Sequence, residues 1–177
     1  MSVPAKLVLW ISIITAVVAI GLWLIGGKKQ EYSAAIQIEA SPDIVFAYLT
    51  EAEKHKSWIT GLAHVERLES NTDETGDPKR ITTTRVIFLN GKESRFKDEV
   101  IRFEPDESLT VRSSNKDQAI TSIYLLRPKD SQTYFTYRVI KLNRGIKRLL
   151  SPLGSDKTQN QVDDDVRRLK QLVESEN

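Results

Sequence analysis

The sequence predicts an α+β domain in which a seven-stranded antiparallel sheet wraps a long C-terminal helix, preceded by one apolar transmembrane helix. Three observations predict it. From Tyr32 to Leu142, short runs alternate apolar and polar residues and are separated by turn formers, the pattern of consecutive half-buried strands. Beyond them, Val162, Val166, Leu169 and Val173 step at helical spacing. Ahead of them, Leu7 to Ile25 contains no charged residue.

In chain order, the first feature is that uncharged run. At about 1.5 Å per residue it spans roughly 28 Å, against a hydrocarbon core of about 30 Å. Trp10 and Trp23 lie near its ends, where amphipathic rings favour the interface. A cleaved signal peptide is the alternative, but its apolar region is normally shorter and LIGGKKQ is a poor cleavage site. The expected boundaries are a tail over 1–6, a transmembrane helix over 7–27, a short linker over 28–31 and a domain over 32–176. Lys6 and the terminal amine stand on one side, Lys28 and Lys29 on the other. Counting Lys and Arg alone tilts the domain toward the cytoplasm.

Tyr32 to Ala40 reads as the first strand, with Ala34, Ile36, Ile38 and Ala40 on one face. Ser41 then suits an N-cap, Pro42 the first helical position, and Asp43 the positive end of the helix dipole. That helix runs to about Leu49, a second short one leads to Trp58, and Gly61 ends it. Strands follow over 62–69, 79–89, 92–103, 108–114, 119–127 and 132–142. The 71–78 stretch, NTDETGDP, is a loop, and Asn90-Gly91 is a strong two-residue hairpin signal. Ile146, Leu149, Leu150 and Leu153 form an apolar stripe, interrupted by Pro152 and Gly154 before Ser155 caps the last helix. That helix carries i,i+4 charge pairs such as Asp163–Arg167 on its polar side.

Composition narrows the function. The chain has 177 residues, 40% hydrophobic and 28% charged, enough for one domain plus extras. Its net charge is +2, and three of the 26 basic residues flank the apolar run, so the domain is about neutral. It carries no basic field for nucleic acid. Without cysteine there is no disulfide, thiolate metal site or cysteine nucleophile. His55 and His64 match no metal-ligand spacing and are expected at the surface. Asp98 and Glu99 are adjacent on a strand and face opposite sides. The 163–165 aspartates read as solvated helix surface. Neither a phosphate loop nor a nucleophile elbow is present, so no catalytic residue, metal or cofactor is predicted.

The order of elements, the Ser41-Pro42 helix start, Trp58-x-x-Gly61, Phe103-Glu104-Pro105, and Leu169-Lys170 with Val173-Glu174 together resemble the SRPBCC (START-like) superfamily. This group includes polyketide cyclases/dehydrases, coenzyme Q-binding proteins and the birch-pollen-allergen fold. The resemblance covers Tyr32 to about Glu176. It implies the helix-grip fold and a mostly apolar cavity for a lipid, quinone, polyketide or other hydrophobic molecule. It also implies that Trp58 sits where the second helix meets the sheet.

Within that frame, the candidate ligand-binding residues are Trp58, Arg85, Phe88, Phe96, Tyr124, Phe135 and Tyr137. Rings of this kind equally serve as core. Thr82, Thr84, Ser122 and Arg138 are further polar residues on strand-like segments, suited to orienting a head group. Ligand is expected to pass from the bilayer near the short helices, around Phe46 to Trp58. Three functions fit: membrane-anchored binding or transport of a hydrophobic ligand, a cyclase/dehydrase-type or hydrolase enzyme using the same cavity, and a partner-binding module whose cavity is filled. The expected partners are a hydrophobic small molecule or lipid and the bilayer, not nucleic acid.

Overall fold

The predicted strands pair into one sheet. The structure, a computed structural model, describes residues 3–67, 82–89, 92–145, 147–148 and 155–176. Its elements are α1 (Val3–Ile25), β1 (Gln30–Ile38), α2 (Pro42–Thr50), α3 (Ala52–Trp58), β2 (Leu62–Arg67), β3 (Thr82–Leu89), β4 (Lys92–Glu104), β5 (Ser108–Ser114), β6 (Gln118–Lys129), β7 (Gln132–Asn143) and α4 (Ser155–Glu176). The loop expected over 71–78, the Asn90-Gly91 turn and the 146–153 apolar stripe lie outside the described residues, apart from Lys147 and Arg148. Leu89 pairs with Lys92, so β3 and β4 meet across those two intervening residues.

The strand order is β1-β7-β6-β5-β4-β3-β2, antiparallel throughout. This is the helix-grip arrangement. Period-two alternation puts one set of side chains on the inner face: Ile38 and Ala34 from β1, Phe135, Tyr137 and Val139 from β7, Ser122 and Tyr124 from β6, Leu109 and Val111 from β5. A register shift between Val100 and Arg102 in β4 marks a bulge, a device that bends a strand.

α4 lays Val162, Val166, Leu169 and Val173 into this core, all buried. Their burial supplies the apolar driving force that a lone helix lacks. The same helix covers the free edge of β1. Gln159 Nε2 donates to the Ser33 carbonyl (3.0 Å), Lys170 Nζ to the Gln37 carbonyl (2.7 Å), and Glu174 Oε1 accepts from the Glu39 amide (2.8 Å). Backbone groups that would otherwise template another strand are thereby occupied.

The short helices behave as the sequence suggests, with one exception. Ser41 has the extended backbone of an N-cap but makes no side-chain capping hydrogen bond. Trp58 is fully buried, and its Nε1 donates to the Tyr48 carbonyl at 2.9 Å, locking α3 onto α2. Gly61 then turns the chain into β2 with φ of 75°, a left-handed conformation that a side chain disfavours.

α1 stands apart, with its described side chains largely exposed. Lys6–Leu24 has the length and apolar composition of a membrane-crossing helix, a test that a signal sequence also passes. Only its C-terminal end is fitted to the domain. A Cβ on Gly26 would overlap the Arg148 carbonyl, and one on Gly27 would overlap the Arg148 guanidinium. That guanidinium lies over the Trp23 ring, 3.8 Å from its centroid.

Candidate functional site

Two cavities lie between the inner face of the sheet and the helices. The distal one, about 320 Å³, is bounded by Leu49, Thr50 and His55 from the short helices and by Val65, Thr83, Arg85, Asp98, Val100, Phe103, Leu109, Val111, Ser122 and Tyr124 from the sheet. The second, about 350 Å³, lies between β3, β4, β6, β7 and α4. We call it proximal, because its wall includes Lys147, next to the Arg148 that holds the end of α1. Arg85 and Ser122 belong to both walls. A larger, open depression of about 590 Å³ at Pro42, 104–108 and 125–128 lies among exposed turns on the surface. Its one buried polar residue is Ser108, and none of Arg85, Asp98, His55 or Ser122 reaches it.

The polar centre of the site follows from strand register. Arg85 is opposite Phe96, and Asp98, two residues further on β4, shares that inner face. Arg85 Nε lies 3.0 Å from Asp98 Oδ2, with the two side chains 7% and 10% exposed. The Nε–H is not aligned on a hydrogen-bond acceptor, so this is an ion pair by proximity. Arg85 Nη2 is 2.6 Å from Ser113 Oγ, and its guanidinium lies 5.9 Å from the Phe96 ring centroid. Asp98 Oδ1 is buried without a hydrogen-bond partner. Burial pushes the Asp98 carboxyl up from its ordinary pKa, with Arg85 and Ser113 opposing that shift.

His55 corrects the expectation of a surface histidine. Its Nε2 is buried and unpartnered, and its ring centroid lies 5.5 Å from Trp58 and 6.4 Å from Tyr124. Burial, and secondarily the Arg85 charge, depress its pKa to about 3, so the imidazole is neutral at physiological pH. His64 is exposed, as expected. Asp165 is a second correction: it is 2% exposed, and its Oδ1 accepts from the Thr60 amide (2.8 Å) and hydroxyl (2.5 Å). Its carboxyl pKa is raised by burial, against those hydrogen bonds. Among the described residues, no cluster of three or more potential ligands forms a metal centre.

The structure brings six of the seven candidate residues to the inner face or its edge. Tyr124 and Tyr137 stack at 4.8 Å, Tyr124 and Phe135 at 6.4 Å, and Trp58 meets all three rings edge-on at 6.0–6.5 Å. Burial raises both tyrosine pKa values, so the hydroxyls stay protonated. Arg85 touches both cavities, Tyr124 the distal one, and Phe96 and Tyr137 the proximal one. Trp58 and Phe135 form the packed layer behind them. Phe88 belongs to β3, and its side chain lies outside the described residues. Of the other polar candidates, Ser122 is buried in the site, whereas Arg138 is exposed and paired with Glu31 at 3.2 Å.

With this geometry in place, the comparisons define the class. Residues 29–174 match the family described as polyketide cyclase / dehydrase and lipid transport, and the chain belongs to that family. Solved structures with the same fold include a Thermus thermophilus protein, at 18% identity and TM-score 0.65, with 84% of this chain covering 99% of that one. A START superfamily protein from Mycobacterium smegmatis aligns at 12% identity and TM-score 0.63, covering 83% of this chain and 99% of that one. The Zhui aromatase/cyclase of a Streptomyces species aligns at 10% identity and TM-score 0.65, covering 83% and 94%. No curated protein matches the chain.

Proposed function

We propose that this chain is a single-pass, membrane-anchored protein that binds or carries a hydrophobic small molecule, such as a lipid, a quinone or a polyketide-like compound. The observation that carries the reading is the distal cavity. It is an apolar chamber with a few convergent polar groups, and about 300–1,000 Å³ is the usual size of a small-molecule site. Asp98 Oδ1 and His55 Nε2 are buried beside it without a protein hydrogen-bond partner. A ligand hydroxyl or carbonyl would satisfy them. Family membership supports the same class of ligand. The anchor reading rests on α1, and the count of Lys28 and Lys29 against Lys6 tilts the proposed orientation toward a cytoplasmic domain.

A second reading has its own support. A neutral imidazole, a carboxyl with raised pKa and the protonated Tyr124 beside the distal cavity, with Tyr137 stacked against Tyr124, form a proton-transfer set suited to cyclase/dehydrase-type chemistry. Uptake of a hydrophobic dye by full-length protein in neutral-lipid nanodiscs tests the binding reading. Val111→Trp, which fills the distal cavity, is expected to abolish uptake. Undiminished uptake in that variant contradicts the assignment of the cavity. Turnover of a polyketide-like substrate would favour the second reading.

A further inference from the structure

The proximal cavity differs from the distal one in charge. Its mouth carries Lys92, Lys141 and Lys147, whereas the distal cavity's one cation, Arg85, is neutralised by Asp98. Lys141 is the telling residue. It follows Tyr137 and Val139 on the inner face of β7, where an apolar side chain would complete the core. It is half-buried, and among the described residues no carboxylate pairs with it or with Lys92. Burial, together with Lys147, lowers the Lys141 pKa, as expected where positive charges lack a counter-ion. Of the nearby acids, Asp117 is 3.8 Å from Lys147, and Asp165 is held by Thr60.

This mouth opens at the end of the domain that joins α1. Gln30, five residues beyond α1, pairs with Lys141 across β1 and β7, and its side chain accepts from Asn143 Nδ2 at 3.2 Å. The Arg144 amide donates to the Asp117 carbonyl at 2.7 Å. Arg148, adjacent to Lys147, packs on Gly26, Gly27 and Trp23. The lysines therefore sit where the chain enters the sheet from α1, at headgroup level if α1 spans the bilayer. The expected route by the short helices instead leads to the distal cavity, lined by Leu49, Thr50 and His55.

We infer that the proximal cavity is a site for a membrane-derived anionic amphiphile with one apolar chain, its carboxylate on Lys141 and its neighbours and its tail between Ile120, Val139 and Val162. This inference rests on the membrane-anchored, hydrophobic-ligand reading above and specifies its ligand class. Charge selects the head group, because a carboxylate supplies the counter-ion that Lys141 lacks. Volume selects the tail, because about 350 Å³ lies at the small end of ligand sites and encloses one chain rather than two. Position selects the source, because a short tether keeps this mouth beside the bilayer at high effective concentration.

The test uses full-length protein in phosphatidylcholine nanodiscs. A hexadecanoate bearing a diazirine near its tail end, or the matching alcohol, is added at equal membrane mole fraction and photolysed. Crosslinked peptides are then mapped. The acid is expected to label 137–141 and 158–162 roughly ten-fold more than the alcohol, the effect of one charge-assisted hydrogen bond. Lys141→Gln should reduce acid labelling to the alcohol level, and Lys141→Arg should restore it. If Lys141→Gln does not fold, the Lys92→Gln/Lys147→Gln variant carries the same expectation. Equal labelling by acid and alcohol, or wild-type labelling in the charge-removing variant, overturns the anionic site and leaves hydrophobic binding standing. Absence of labelling by either probe, in both cavities, overturns the binding reading as well.

Discussion

Removing one member of the Arg85–Asp98 pair is the perturbation with the largest expected consequence. Both side chains are about nine-tenths buried, so solvent screening is slight and the surface ion-pair discount does not apply. Asp98→Leu leaves the guanidinium buried with only Ser113 and the Phe96 ring beside it. Breaking a buried pair in this way costs about 3–5 kcal/mol, a large part of the roughly 5–15 kcal/mol that holds a domain together. Replacing both residues, Arg85→Met with Asp98→Leu, removes the uncompensated charge and should recover most of that loss. The assay is equilibrium denaturation of full-length protein in non-ionic detergent, followed by the circular dichroism of the sheet. A double-mutant cycle then isolates the coupling. Single variants that each cost under about 1 kcal/mol would refute the reasoning, because that is the behaviour of a solvated pair.

Three further outcomes are expected. His55 has a depressed folded pKa, so the unfolded chain binds the extra proton between pH 6.5 and about 3, and stability falls as pH drops through that window. Asp98 and Asp165, with raised folded values, act in the opposite sense, losing stability as pH rises above the ordinary carboxylate value. Comparing acid denaturation of wild type with His55→Phe isolates the histidine, and identical profiles would show that the ring is solvated. Trp58→Ala should cost about 3–5 kcal/mol, read as a lower denaturation midpoint, since the ring is fully buried. Finally, the intact chain should sediment with membranes and resist carbonate and high salt, and release by salt alone would refute the anchor.

Most of the architecture was legible in the sequence because it rests on local periodicity. β1 and most of β7 alternate cleanly, and the buried stripe of α4 is written in Val162, Val166, Leu169 and Val173. The pairing of β1 with β7 was not legible, since it joins segments about 100 residues apart and depends on sheet closure. The Arg85–Asp98 pair was nearly so. Counting back from Asn90-Gly91 as a two-residue turn puts Arg85 opposite Phe96, with Asp98 one inner-face step beyond. His55 was misread because EAEKHKSW is polar nearly throughout. The signal was its position three residues before Trp58, which places both rings on one helical face. Asp165 was missed for a related reason. It lies three residues after Val162 on the buried side, where Thr60 supplies the hydrogen bonds that make burial tolerable.

Native mass spectrometry of full-length protein, ejected directly from its own membranes, is the most direct test of a ligand-holding interior. The prediction is a bound species of defined mass for an apolar or amphipathic small molecule, lost on filling the distal cavity with Val111→Trp or on removing the lysine charge at the proximal mouth. A protein that emerges at its bare mass from native membranes, and stays bare when the same membranes are supplemented with hydrophobic ligands, contradicts the account.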